Sequence, residues 1–371
     1  MDIKSCIPDC CGSNSSCCDK TKYYDIPKNG EIPTDVGSIP IVATTLSKTD
    51  IGDTRKVRFK INRMDYKIRP GLYAVGKPDS SSPVLVTANY KLTFDSLRKE
   101  LSSINAWILV LDTNGINVWC AAGKGTFGTE ELVRQINNTH LHGIISHNKL
   151  ILPQLGAPGV SAHLVTKETG FKIIYGPVRA SDIPEFIAAN NKATPNMRKV
   201  NFTFKDRLVL IPVELMSSLK PMTAVTAAVI LATIIASYFS ASETLWIHGV
   251  GFVFAFIGAI LAGAAVTPLL LPYIPFRAFA IKGWIVGLVW VFIFTTFFPV
   301  FGSKFSFREA LGLYLLLPPV TAFLSLNFTG CSTYTSQSGV EKEMRVGLPI
   351  MIISSFVGIG ALASEYLTLV F

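Results

Sequence analysis

The hydrophobic pattern divides the chain near residue 220. Before it, apolar runs of strand length alternate with segments of helical spacing; after it, apolar residues continue for about twenty positions at a time. In the first part, Val57, Phe59 and Ile61 alternate with Arg58, Lys60 and Asn62, which predicts a small strand over 56–66 and a turn at Arg69-Pro70-Gly71. Residues 84–86 predict a short buried strand, and Phe94, Leu97 and Leu101 mark a helix over 93–101 capped by Thr93. Strands at 107–111, 150–152, 172–175 and 208–212 then alternate with helices at 129–139, 161–169 and 182–190. Such alternation predicts an α/β, Rossmann-like domain with a mainly parallel sheet. Ligands of open sheets bind beyond the carboxyl ends of the strands, here Thr87-Ala88-Asn89, Asp112-Thr113-Asn114-Gly115, Pro153-Gln154-Leu155-Gly156 and Gly176-Pro177-Val178-Arg179.

The second part carries five apolar segments, at 222–240, 247–271, 281–301, 309–329 and 347–369. Each reaches the roughly 20 residues a helix needs to cross a bilayer core, which predicts an all-α membrane domain over 222–371. The remaining boundaries fall at 1–54, a flexible cysteine-rich tail; 55–205, the α/β domain; and 206–221, its end and a linker. Pro318-Pro319 is expected to kink or break the fourth span, Glu365 to reach water at the edge of the fifth, and the hydroxyl-rich loop 329–336 to join the last two.

Charge adds an orientation. Lys205, Arg207, Lys220, Arg277, Lys282, Lys342 and Arg345 fall on one side of the five spans and only Lys304 and Arg308 on the other. The positive-inside rule then puts the α/β domain in the cytoplasm and the carboxyl terminus outside, in a multi-pass cytoplasmic membrane protein. The first residues, Met-Asp-Ile-Lys-Ser-Cys, lack the apolar region of a secretory signal. A net charge of +9 favours an acidic partner or anionic membrane lipid, and no interleaved basic and aromatic pattern argues for nucleic acid. Five of the seven cysteines, Cys6, Cys10, Cys11, Cys17 and Cys18, lie in the first 18 residues. The pairs Cys10-Cys11 and Cys17-Cys18 suit capture of a soft cation such as mercury(II); the plainer alternative is a tail of reduced thiols.

The chemically singular stretch is Asn117-Val118-Trp119-Cys120-Ala121-Ala122-Gly123-Lys124-Gly125, one thiol among small and apolar neighbours beside a lysine, following the second strand end. It suits a metal-binding or nucleophilic thiolate, or a buried thiol used as filler. Gly123 to Gly128 matches G-x-G-x-x-G, but too far from the preceding strand and without a carboxylate about 20 residues on, and the P-loop pattern fails. Asn138-Thr139-His140-Leu141-His142-Gly143 differs by its asparagine from the D-x-H-x-x-G pattern of cobalt-ligating histidines and also reads as a helix end. His147, His163 and His248 have no partner at metal-ligand spacing.

Residues 117–124 resemble the signature of the mercury-methylation corrinoid protein family, the membrane-anchored half of a two-protein methyltransferase. Residues 84–93 resemble the corrinoid domain of the corrinoid iron-sulfur protein of acetyl-CoA metabolism. The resemblance covers most of 55–371 and implies a base-off corrinoid whose cobalt takes Cys120 as lower axial ligand, on a capping helix at 117–124. It implies Asn117 as a hydrogen-bond donor behind that ligand, and low relief at Ala121, Ala122 and Gly123 for a flat macrocycle. Val118, Trp119 and Lys124 complete the helix, and Thr87, Asn89, Thr113, Leu155, Gly156, Pro177 and Arg179 the surrounding strand ends. Trp119 is open between packing under the ring and anchoring the helix, and Lys124 between lowering the thiol pKa and binding a corrin carboxamide or phosphate oxygen.

The implied activity is transfer of a methyl group from methyl-cobalt(III) corrinoid to mercury(II). It carries a ferredoxin-like iron-sulfur reductant and a methyl donor of the methyltetrahydrofolate or methylcorrinoid class. The alternatives are a corrinoid methyl carrier of one-carbon, acetyl-CoA-type metabolism and a membrane-tethered nucleotide-binding module.

Overall fold

A computed structural model describes residues 23–63, 65–239, 243–297, 305–331 and 337–370. The amino-terminal cysteines, and most of the hydroxyl-rich loop, lie outside the described residues. The chain forms two compact units: residues 23–46 with 65–197, and residues 47–63 with those from Arg198 onward.

In chain order the first elements are β1 (Lys28–Thr34), β2 (Gly37–Val42), α1 (Lys48–Arg58, a part of the second unit), β3 (Gly71–Val75), β4 (Val84–Ala88) and α2 (Lys91–Arg98). Then come β5 (Ala106–Leu111), α3 (Val118–Gly123), α4 (Thr129–Asn138), β6 (Lys149–Leu152), α5 (Ala162–Thr169), β7 (Lys172–Tyr175) and α6 (Ile183–Ala188). The described strands form one sheet in the order β1-β2-β3-β5-β4-β6-β7. Four of its pairings are parallel, and the β1–β2 and β3–β5 pairings are antiparallel. The sheet is thus mixed and mostly parallel.

Its two faces are covered separately. Trp107, Leu109 and Leu111 of β5 pack with Leu132 and Ile136 of α4, whereas the alternate residues Ile108 and Val110 pack with Phe94 and Leu97 of α2. The chain leaves β4 toward one face and β5 toward the other, which opens a crevice between their carboxyl ends.

Four expectations change. Residues 56–58, expected in a strand, close α1, because Ser47 and Asp50 form a reciprocal capping box (Asp50 N to Ser47 Oγ and Ser47 N to Asp50 Oδ2, both 3.0 Å) that starts a helix whose last turn is basic. Residues 208–212 are likewise helical, since Thr203 caps a helix that leads into a long apolar one. The tail expected over 1–54 contains the β1–β2 hairpin: β1 is largely exposed, and β2 buries Ile39 and Val42 three residues apart, without the apolar alternation that marks a strand. Thr93 lies inside α2, which is capped by Tyr90.

The second unit continues with α7 (Phe204–Leu208), α8 (Ile211–Phe239), α9 (Glu243–Leu261), α10 (Thr267–Leu270), α11 (Phe279–Phe297), α12 (Phe307–Asn327) and α13 (Gln337–Val370). Five of its helical stretches are long and apolar enough to cross a membrane, among them Leu245–Leu270, which runs from α9 through a π-helical turn into α10. Small residues let these helices approach closely: a Cβ on Gly287 of α11 would lie 2.6 Å from the Cα of Pro318 in α12. The helix α12 continues through Pro318-Pro319 rather than breaking there.

Candidate functional site

The crevice between β4 and β5 is organised by one carboxamide. Asn89, the residue after β4, is fully buried; its Oδ1 accepts from the backbone N–H groups of Thr113 (3.1 Å) and Gly115 (2.9 Å) and lies 2.9 Å from Thr113 Oγ1. Its Nδ2 donates to Asp112 Oδ1 at 2.9 Å, and Asp112 N–H donates to Glu131 Oε1 of α4 at 2.7 Å. The loop that leads from β5 to α3 is therefore tied to β4 and α4, and it turns through Asn114 and Gly115, both left-handed. Thr87, Asn89 and Thr113, proposed from sequence to face a cofactor, are buried; Asn89 and Thr113 build the platform beneath α3.

On that platform Asn117 caps α3, its Oδ1 accepting from Cys120 N–H at 2.9 Å. This oxygen acts as an acceptor toward the cysteine backbone, a capping role beside the donor role of the Asn117 amide that the resemblance implies. The first turn so pinned buries Val118, Ala121 and Ala122 and leaves Trp119 and Cys120 half-exposed, with Gly123 and Lys124 exposed. Cys120 is outside any disulfide. A Cβ on Gly123 or Gly125 would meet nothing within 4 Å, so the chain is open to its surroundings at these two positions after the thiol.

Behind α3, the turn Gln154–Gly159 after β6 packs so closely that a Cβ on Gly159 would lie 2.1 Å from Phe127 O and 3.0 Å from Ala122 Cα, and one on Gly156 2.6 Å from the Phe127 ring. Leu155 is half-buried against the same core. Tyr175, at the end of β7, donates its hydroxyl to Val160 O at 2.9 Å and so holds the end of this turn; burial raises its pKa. Pro177 is buried and Arg179 exposed after β7. The four strand-end segments thus share one edge of the sheet, with α3 over the second and against the third. Sequence reasoning missed Asp112, Glu131 and Tyr175, whose roles depend on partners 15–19 residues away.

The G-x-G-x-x-G match has a local explanation. Gly125 has φ +80° and closes α3, and Gly128 caps α4 so near it that a Cβ would lie 2.6 Å from Gly125 O. It joins two helices, whereas a dinucleotide fingerprint joins a strand to a helix. His140 is left-handed after α4 and His142 stacks on Phe171 with ring centroids 4.5 Å apart, a helix-end arrangement. Among the described residues, no group of three or more His, Cys, Asp or Glu converges as a metal site.

The arrangement presents a half-exposed thiol on a pinned helix turn with the exposed Gly123 and Lys124 after it, a placement that leaves the thiol able to ligate a metal held by a bound cofactor.

The sequence matches the family of the CO dehydrogenase/acetyl-CoA synthase delta subunit over residues 56–187. It is 35% identical over 34% of this chain to the acetyl-CoA decarbonylase/synthase complex subunit gamma of Methanopyrus kandleri, covering 27% of that protein. The gamma subunit of Archaeoglobus fulgidus is 31% identical over 37% of the chain and 30% of its own length, and the corrinoid/iron-sulfur protein large subunit of Moorella thermoacetica 32% over 33% and 28%. The chain thus spans less than a third of the length of these relatives, and the family match, over residues 56–187, falls mostly in the α/β part. The relation is to corrinoid proteins of one-carbon metabolism.

Proposed function

We propose that the α/β unit binds a corrinoid and serves as a methyl carrier, with Cys120 as the lower cobalt ligand. The observation that carries this reading is the half-exposed thiol on a capped turn above the β4–β5 crevice, in the part of the chain similar to a corrinoid/iron-sulfur protein. A bound corrinoid supplies a cobalt centre that can accept and give up a methyl group. The protein's own residues do the rest. Asn117 and the Asn89 platform hold Cys120 at a fixed height, so that its thiolate meets the metal without a search. Gly123 leaves room for the ring, whereas Ala121 and Ala122, expected beside it, are buried in the core and anchor the helix; Trp119 and Lys124 flank the thiol, and the turn Gln154–Gly159 closes the back of the site.

Two acceptors follow from different observations. The relatives support a one-carbon carrier of the acetyl-CoA type. The stretch 117–124 supports mercury(II) as a soft acceptor, with Cys10, Cys11, Cys17 and Cys18 delivering it. In either case a ferredoxin-like iron-sulfur protein returns the carrier to its reduced form, and the methyl donor is of the methyltetrahydrofolate or methylcorrinoid class. The five apolar helices anchor the protein in the cytoplasmic membrane, with the α/β unit inside and the carboxyl terminus outside.

The test is reconstitution of the full chain with a corrinoid, followed by absorption spectroscopy and cobalt analysis of the native protein and Cys120→Ala. Stoichiometric cobalt with bands that shift in the variant is the expected result; a protein that takes up no corrinoid, or a variant with unchanged bands, overturns the reading. Protein charged with a carbon-13 methyl group and then given mercury(II) or a nickel-thiolate acceptor distinguishes the two acceptors.

A further inference from the structure

One end of the helical unit gathers polar side chains from four apolar helices: Thr233 of α8, His248 of α9, Glu309 in the first turn of α12, and Glu365 and Tyr366 near the end of α13. His248 Nδ1 lies 2.5 Å from Glu309 Oε1, and the Tyr366 hydroxyl lies 2.9 Å from Thr233 Oγ1. The Glu309 backbone N–H is spent on Ser306 Oγ, the helix cap, at 3.1 Å. The carboxylate is only half satisfied. Glu309 is 7% exposed, and its Oε2 is buried without a hydrogen-bond partner among the described residues. A buried carboxylate oxygen with no donor is costly, and the few seen in native proteins call for an explanation.

The same carboxylate lines a cavity of about 840 Å³ between α8, α9, α12 and α13. Along α12 the lining runs from Glu309 to Leu324, fifteen residues, or about 22 Å at the helical rise of ~1.5 Å per residue. Past the polar end its walls are apolar, with Met222, Phe252, Phe256, Leu316 and Met351 among them. The volume is that of a site for a small molecule, and the shape, one polar end on a long apolar slot, is that of an amphipathic one. Acyl chains of the bilayer could line such walls, but they carry nothing that would satisfy Glu309 Oε2.

We propose that this cavity binds a membrane-soluble, single-chain molecule whose hydroxyl head enters at the Glu309–His248 end and, as the Glu309 side chain rotates to bring Oε2 out of its buried position, donates a hydrogen bond to it, while the hydrocarbon body lies along the apolar walls toward Leu324. His248 is a positioning residue: its Nδ1 holds Oε1 and so keeps the carboxylate at this end of the cavity. The inference is independent of what the α/β unit carries, because every residue it uses lies in the helical unit.

The full chain in lipid nanodiscs tests it with two probes of the same shape, 4-dodecylphenol and its methyl ether, 4-dodecylanisole, measured by native mass spectrometry and equilibrium partition against protein-free discs. The phenol is expected to bind saturably at one molecule per chain and at least about tenfold more tightly than the ether, the worth of one hydrogen bond to a charged group. Glu309→Leu is expected to reduce phenol binding to the level of the ether. Ala232→Trp, which fills the slot from an exposed wall position and leaves the His248–Glu309 pair untouched, is expected to weaken both, and it keeps the test decisive if the first variant does not fold. Equal binding of the two probes, uptake that only matches protein-free discs, or a phenol preference that survives both variants overturns the proposal.

Discussion

Asn89 and Glu309 are both buried polar residues at the end of an element, and their hydrogen bonding sets them apart. Asn89 uses its oxygen and its amide nitrogen in a network that ties β4, the β5–α3 loop and, through Asp112, α4 together. Glu309 uses one carboxylate oxygen on His248 and, among the described residues, leaves the other without a donor. A fully satisfied buried group is architecture: removing it leaves its partners unpaired. A half-satisfied one has capacity left for something that is not part of the fold. Cys120 is a third kind, half-exposed chemistry that architecture of the Asn89 type holds in place.

The largest effect is expected at Cys120. Cys120→Ala should abolish methyl transfer and shift the cobalt bands while changing thermal stability by no more than about 0.5 kcal/mol, the range for substitutions away from packed features. A large loss of stability instead would make the thiol part of the core.

The network predicts the next effect. Asn89→Leu should destabilise the α/β unit by roughly 3 kcal/mol in chemical unfolding, because it buries the N–H groups of Thr113 and Gly115 without acceptors. Glu309→Leu should change stability by only about 1 kcal/mol, since the lost His248 contact is offset by removal of an unsatisfied oxygen. Equal costs at the two sites would erase the distinction drawn between them.

Smaller effects come from the helix that presents the thiol. Gly159→Ala should cost about 2 kcal/mol, as its Cβ must displace Phe127 O or the Ala122 backbone. Asn117→Ala should cost about 1 kcal/mol through the lost cap, and Asn117→Asp should restore it. The smallest is a pH dependence. Burial pushes the Tyr73 hydroxyl, which donates to Arg69 O, from 10.0 up to about 12. Its folded-state pKa is raised, so the stability it contributes is complete below pH 10.0 and is lost as the pH rises through about 12. Tyr73→Phe should flatten that part of an alkaline unfolding profile.

Much of the scaffold was legible in the chain because its determinants are local. The runs at 84–86, 107–111 and 150–152 are apolar enough to be central strands whatever surrounds them, 172–175 makes the edge strand beside them, and five apolar stretches of membrane length need no tertiary information. The stretch around Cys120 was legible too, as a chemical oddity, though the capping role of Asn117 in front of it was not. Alternation misled at 56–61, where the decisive signal was the Ser47–Asp50 capping box upstream, and the β1–β2 hairpin was missed because β1 is largely exposed and β2 buries only Ile39 and Val42, without a period of two.

By itself the sequence determined the α/β order, the apolar helices and the identity of the thiol, all of which depend on residue type and spacing along a few turns of chain. Only the tertiary structure decided that Thr87, Asn89 and Thr113 are buried, that Asn117 accepts from the cysteine backbone, and that His248 meets Glu309 from 61 residues away. The physical reason is that a hydrogen-bonding group has no fixed role until its partner is known, and these partners are brought together by the order of strands in the sheet and of helices in the bundle.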